Sequence, residues 1–197
     1  MKKALPIILV LVVLIGGYFI LSVIYQNGAL GVKQNADKSW ADVEGAYQRR
    51  NDLIGNLVNT VKGAAEFEKS TLEAVVNARA KATSVQIDPS NITPAQLEQF
   101  QQAQSGVSSA LSRLLVTVEK YPDLKANQNF LKLQDELAST ENQILTARTR
   151  YNEAVRTYNN YVLSLPNKFF LSGYPERAFF KADAGAEKAP EVQFDFN

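Results

Sequence analysis

The chain has 197 residues, 46% of them hydrophobic, with 21 Lys and Arg against 20 Asp and Glu. That allows one folded unit with an appendage and excludes intrinsic disorder as a description of the whole. It contains neither Cys nor His, which removes disulfides, thiolate nucleophiles, zinc-finger sites and the usual general base, and leaves room only for an enzyme built on carboxylate, Lys, Tyr or Ser chemistry.

After Met1, Lys2 and Lys3 no charged side chain occurs until Lys33, and residues 4–25 are almost continuously apolar. At about 1.5 Å per residue such a helix extends roughly 33 Å, enough for a hydrocarbon core of about 30 Å. The apolar region of a cleaved signal peptide is only about 7 to 15 residues and ends in a small-residue site. Ile20 to Gln26 offers no such site, so the segment reads as an uncleaved anchor that meets the bilayer through residues 4–25. Tyr18 and Tyr25 fall near its outer end, and the adjacent Gly16 and Gly17 make no GxxxG face. Lys2 and Lys3 lie closer to the lipid than Lys33 and Lys38. The positive-inside rule then puts the N-terminus inside and the large domain outside a bacterial inner membrane, periplasmic or extracellular. Without residues 1–32 the chain carries 19 basic and 20 acidic residues, a balance with no electrostatic footprint for nucleic acid.

From residue 26 to 165 apolar residues recur in steps of three and four, the period of helix bundles and not of strands. Four helices are predicted, at about 30–64, 66–85, 94–121 and 123–165. The first carries the seam Ala36, Trp40, Val43, Tyr47, Arg50, Ile54, Leu57 and Val61, broken only by Arg50. The second is shorter, with Leu72, Val75, Val76, Ala78 and Ala82 on its apolar side, and fades into Ile87-Asp88-Pro89-Ser90-Asn91. Thr93 before Pro94 is a start signal, an N-cap hydroxyl followed by Pro at the first helical position. The third seam runs Leu97, Phe100, Gln104, Val107, Leu111, Leu114, Val118, Tyr121 and stops at Pro122. The fourth is a rod without Gly or Pro from Leu124 to Leu165. The fold class is therefore all-α: a transmembrane helix followed by an elongated, mainly antiparallel bundle, the first bundle helix issuing from the span.

Residues 166–197 form an irregular aromatic tail containing Phe169, Phe170, Phe179, Phe180, Phe194 and Phe196. Three roles fit it: strapping back onto its own bundle, docking on a neighbouring subunit, or touching lipid or another protein. Arg50 and Arg148 interrupt apolar seams, and an unpaired buried guanidinium is costly. Glu141 lies seven residues before Arg148 on the same face, so Arg50, Glu141 and Arg148 are candidates for a polar cluster that fixes helix register. In the alternative both arginines sit at the seam edge with hydrated heads. No phosphate loop, dinucleotide fingerprint, calcium loop or nucleophile elbow occurs, and neither a catalytic residue nor a cofactor or metal site is expected.

Five blocks, WADVE (40–44), QRRNDLIGNLVNTVKG (48–63), EKYPDLKANQNFLKLQDELASTENQI (119–144), AR-x-RYNEAVRTYN (147–159) and GAEKAPEVQF (185–194), together resemble the LemA family of bacterial membrane proteins. Gly55 departs from the pattern, which places Pro after the Leu-Ile pair and would kink the first helix. The resemblance implies one membrane segment and a helical-bundle domain, with no established catalysis or cofactor. A magnetosome-membrane relative suggests a role in membrane organisation, and family descriptions favour a cytoplasmic domain, against the flanking-lysine reading. The function expected is a non-enzymatic membrane-anchored scaffold that forms a homo-oligomer and organises membrane or envelope components. The alternative is an adaptor that recruits another envelope protein, such as a membrane protease, chaperone or signalling partner, through the bundle groove or the tail.

Overall fold

The computed structural model describes residues 4–63 and 67–181. Among them there are six helices and no strand: α1 (Ala4–Lys62), α2 (Lys69–Ser84), α3 (Pro94–Val118), α4 (Pro122–Lys125), α5 (Gln128–Leu163) and α6 (Asn167–Phe170). The apolar span and the first bundle helix are one continuous helix of 59 residues, about 88 Å long. Its first part is exposed over its whole circumference, Ile7 through Ile20 presenting large apolar side chains on every face. A helix that is hydrophobic all round requires a lipid or protein surround. With Gly at position 55, the helix assignment of α1 continues unbroken through the site, and the Arg79 guanidinium lies against it.

The chain between α3 and α5 differs from the single rod predicted over 123–165. Tyr121, which precedes Pro122, is pushed out of the helical region (φ −121°, ψ 85°), and only the single turn α4 follows. Asn127 then adopts an extended backbone, and its side-chain carbonyl accepts from the amides of Asn129 and Phe130. An Asn cap of this kind starts a new helix, so α5 begins at Gln128. α3 opens as its sequence dictates: Thr93 Oγ1 accepts from Gln96 N while the Gln96 side chain accepts from Thr93 N.

α1 and α5 form a long antiparallel pair whose register can be followed from end to end. Arg50 meets Glu141, Trp40 meets Tyr151 with ring centroids 5.4 Å apart, and Tyr161 Oη donates to the Tyr25 carbonyl at 3.3 Å. α2 and α3 pack together as a hairpin against this pair. The buried face divides into three levels. Farthest from the span, Ile54, Leu57 and Val61 pack with Val107, Leu114, Phe130 and Leu137. The middle level is aromatic, built from Trp40, Tyr47, Phe100, Tyr151 and Phe180. Nearest the span, Ala29, Ala36 and Ala154 pack with Tyr158, Val162 and Leu171. Here the helices approach so closely that a Cβ on Gly28 would fall 2.0 Å from Tyr161 Oη.

Every residue of the α1 seam predicted from spacing is buried, Arg50 included. Val76 leaves its predicted seam and is half exposed on α2, and the rod predicted to reach Leu165 stops at Leu163, so that Leu165 lies beyond the end of α5 and is 71% exposed.

Candidate functional site

After α6 the chain turns back and climbs the bundle in extended form, and α5 carries the residues that hold it. Tyr151-Asn152 and Tyr158-Asn159 are two identical pairs seven residues apart, so they repeat on one face of the helix. Each asparagine makes a two-way amide clasp on the returning backbone. Asn159 Nδ2 donates to Arg177 O at 2.9 Å and its Oδ1 accepts from Arg177 N at 3.0 Å. Asn152 does the same with Phe180, at 3.0 and 2.9 Å. Beside them Tyr158 Oη donates to Pro175 O at 2.9 Å and Tyr151 Oη to Ala178 O at 3.2 Å. The α3 side adds Ala178 N to Ile92 O at 3.4 Å and Gln101 Nε2 to Lys181 O at 3.3 Å. A segment without a helix of its own thereby pairs its backbone groups mainly with side chains, and at Ala178 with a loop carbonyl, as burial requires.

Two side chains anchor this strap. Phe180 enters the aromatic level of the core, stacked on Trp40 at 5.9 Å and edge-on to Tyr151 at 5.4 Å. Arg177 is 2% exposed, lies over the Tyr158 ring at 4.9 Å, and donates from Nη2 to Asp37, which also accepts from Lys33 Nζ at 2.9 Å. Burial pushes the Tyr151 phenol up to about 12; burial also raises Tyr158, while the positive charge of Arg177 pulls it the other way. None of Asp37, Asn152, Asn159 and Arg177 stands out from apolar spacing, because each is polar. The available signal is the repeated Tyr-Asn pair.

The Arg50 neighbourhood is the second polar centre. The guanidinium is 2% exposed and donates from Nη1 to Glu141 Oε1 at 3.1 Å and to Ser108 Oγ at 3.3 Å, and from Nη2 to both the carbonyl and the side-chain oxygen of Gln104. Its charge also lies over the Tyr47 ring at 4.9 Å. Arg50 and Glu141 are thus brought together, with Gln104, the polar residue in the α3 seam, as the unexpected third member. Arg148 borders the same depression but turns to the strap: Nη2 donates to Lys181 O at 2.9 Å and the head lies over Phe180 at 5.0 Å. One arginine ties α1 to α3 and α5; the other ties α5 to the returning chain.

The tail phenylalanines separate into distinct environments. Phe180 is buried, Phe170 stacks on Tyr25 and leans against Tyr18 of α1, Phe179 is 41% exposed, and Phe169 is 72% exposed. Phe194 and Phe196 lie outside the described residues. Several depressions open to solvent. One runs along the outer side of α1 and α5, past Ala41, Asp42, Gly45, Arg49, Thr146 and Arg150. No group of three or more acidic side chains able to hold a metal occurs among the described residues. The buried guanidinium groups of Arg50 and Arg177 are committed to helix and strap contacts.

The LemA family pattern matches residues 39–194. The chain belongs to the LemA family. Among curated proteins it is similar to Protein LemA of Metamycoplasma hominis, 23% identical over 168 residues, covering 82% of this chain and 73% of that one. It is also similar to Magnetosome protein MamQ 2 of Paramagnetospirillum magneticum, 26% identical over 176 residues, and to Magnetosome protein MamQ of Magnetospirillum gryphiswaldense, 23% identical over 175. The matches cover 79% and 78% of this chain, which spans 64% of the length of each of these two magnetosome relatives. Neither the family nor these relatives carries an enzyme's name. Together with the apolar start of α1, they make this a membrane-associated LemA protein.

Proposed function

We propose that this LemA protein is a non-enzymatic, membrane-anchored helical scaffold that self-associates and organises membrane or envelope components. The observation that carries the reading is the unbroken α1. Because the same helix crosses from the apolar run into the bundle without a break, the bundle has no hinge at the membrane and every copy stands in the same orientation. Posts held parallel in one plane have a raised effective concentration for one another, so weak lateral contacts suffice to build an assembly. The open groove along α1 and α5, with Gly45 and Ala41 on its floor and Asp42, Arg49 and Arg150 beside it, suits a helix of a second copy. The names of the magnetosome relatives fit a membrane-associated protein. Lys2 and Lys3 support placement in a bacterial inner membrane with the bundle outside.

The test is the mass of the full-length protein in nanodiscs, with Gly45→Trp as the groove variant. Gly45 is exposed and a Cβ there meets nothing within 4 Å, so the root of a larger side chain is accepted at the groove without a clash. A defined oligomer that Gly45→Trp dissociates supports the scaffold; a strict monomer with no self-crosslinking in membranes overturns it. An adaptor role is favoured by one feature, the half-exposed Phe179 beside Pro94 and Leu97 in an apolar depression. Loss of a co-purifying envelope protein in Phe179→Ser, with the oligomer intact, would select that reading. Removing all of residues 166–197 would not discriminate, since Phe170, Arg177 and Phe180 belong to the fold.

A further inference from the structure

We propose that the turn between α5 and the strap is a second membrane contact: an interfacial foot, formed by Leu165, Phe169 and Phe170, that rests in the same bilayer α1 crosses.

The argument starts from level. The apolar run of α1 ends at Tyr25, followed by the polar pair Gln26 and Asn27, so the hydrocarbon boundary falls close to Tyr25. Tyr18 lies seven residues earlier on the same face, about 10 Å deeper along the axis. Phe170 packs against both rings, stacked on Tyr25 at 5.0 Å and tilted against Tyr18 at 5.2 Å. A ring that touches both must lie between their levels, inside the boundary that Tyr25 marks. α5 reaches down to that boundary, its last turns fixed by the Tyr161 hydroxyl on the Tyr25 carbonyl and by Asn167 Nδ2 on the Tyr161 carbonyl at 2.9 Å.

Composition agrees with position. The chain leaves its most exposed large apolar side chains of the bundle here, Leu165 at 71% and Phe169 at 72%. In water each would be an uncompensated apolar surface; at the boundary of a bilayer each is covered, and its burial stabilises the contact. Aromatic side chains concentrate at that boundary, and interfacial elements sink about 5 to 10 Å into it. Lys168 is exposed between them, and its long stem can carry the charge back to the headgroups. The occupant is lipid and not a second protein because the surface is continuous with the lipid-facing surface of α1 through Phe170. Such a foot gives the bundle two points of attachment, which sets its tilt.

The absence of native Cys allows single-site spin labels in the full-length chain reconstituted in phosphatidylcholine vesicles. Leu165→Cys and Phe169→Cys are measured beside Leu21→Cys in the span and Asn129→Cys at the far end of α5. The expected result is a shift at 165 and 169 to the pattern of position 21, with collisions with oxygen retained and collisions with a water-soluble nickel chelate lost. The pattern of position 129 at both sites, open to the chelate, overturns the proposal. So does shielding from both reagents, which would mean that protein and not lipid covers the foot.

Discussion

Replacing Phe180 by Ala tests whether the returning strap is part of the fold. The ring is 5% exposed and has three aromatic neighbours, Trp40 at 5.9 Å, Tyr151 at 5.4 Å and Phe100 at 6.5 Å, with the Arg148 head over its face at 5.0 Å. Transfer of the side chain from water is worth about 1.5 to 3 kcal/mol. The aromatic pairs and the cation over the ring each add about 0.5 to 1.5 kcal/mol at best. Truncation of a buried Phe accordingly costs about 3 to 5 kcal/mol where the cavity persists. The segment from 175 to 181 can also detach, which limits the loss to the free energy of docking it. Where the cavity persists the melting temperature falls by roughly 6 to 20 °C, at about 2 to 4 °C per kcal/mol for a chain of this size, and where the segment detaches it falls by less. Trp40, the single tryptophan, is fully buried beside Phe180, so its emission shifts to the red as water reaches it. Phe169→Ala, at an exposed site, should move stability by no more than about 0.5 kcal/mol in detergent. An unshifted Trp40 spectrum and a loss below about 1 kcal/mol in Phe180→Ala would refute the reasoning.

The other predictions concern the polar residues. A double-mutant cycle on Arg50 and Glu141, by chemical denaturation, should give a coupling of about 0.5 to 2 kcal/mol, reduced from that of a dry pair because the Glu141 side chain is 45% exposed; zero coupling would mean that Gln104 and Ser108 alone satisfy the guanidinium. Asn159→Ala should cost about 1 to 3 kcal/mol, since it strands the buried amide and carbonyl of Arg177, and Asn152→Ala should cost less because Asn152 is only partly buried. Alkaline pH should destabilise the bundle. The folded Tyr151 phenol is raised to about 12 from an ordinary 10, so the unfolded chain loses its proton first. Stability is therefore full below about pH 10 and falls between about pH 10 and 12 by up to about 1.4 kcal/mol per pH unit. Tyr151→Phe should flatten that slope, leaving the contribution of Tyr158, when unfolding is followed by tyrosinate absorbance.

The helical class, the span and the inward faces of α1 and α3 were legible because burial repeats with the helical period: Trp40, Val43, Ile54, Leu57, Leu97, Phe100 and Leu114 are predicted from spacing and are buried. Arg50 was legible for the opposite reason, as a charge where the period demands an apolar residue. The break at Asn127 was not, because a local cap outweighed an otherwise uninterrupted helical composition.

The sequence by itself determined what local pattern and solvent preference decide: an apolar helix long enough for a bilayer, rods of helix beyond it, and no residues for histidine or thiol chemistry. Only the tertiary structure decided where the last described residues go. The clasp of Asn152 and Asn159 on the strap, the ion pair of Arg177 with Asp37 across 140 positions of sequence, and the placement of Phe170 beside Tyr18 all depend on α1 and α5 lying antiparallel. Polar side chains have no period that announces their partners. Their burial becomes tolerable only when the fold brings a matching donor or acceptor within hydrogen-bond reach.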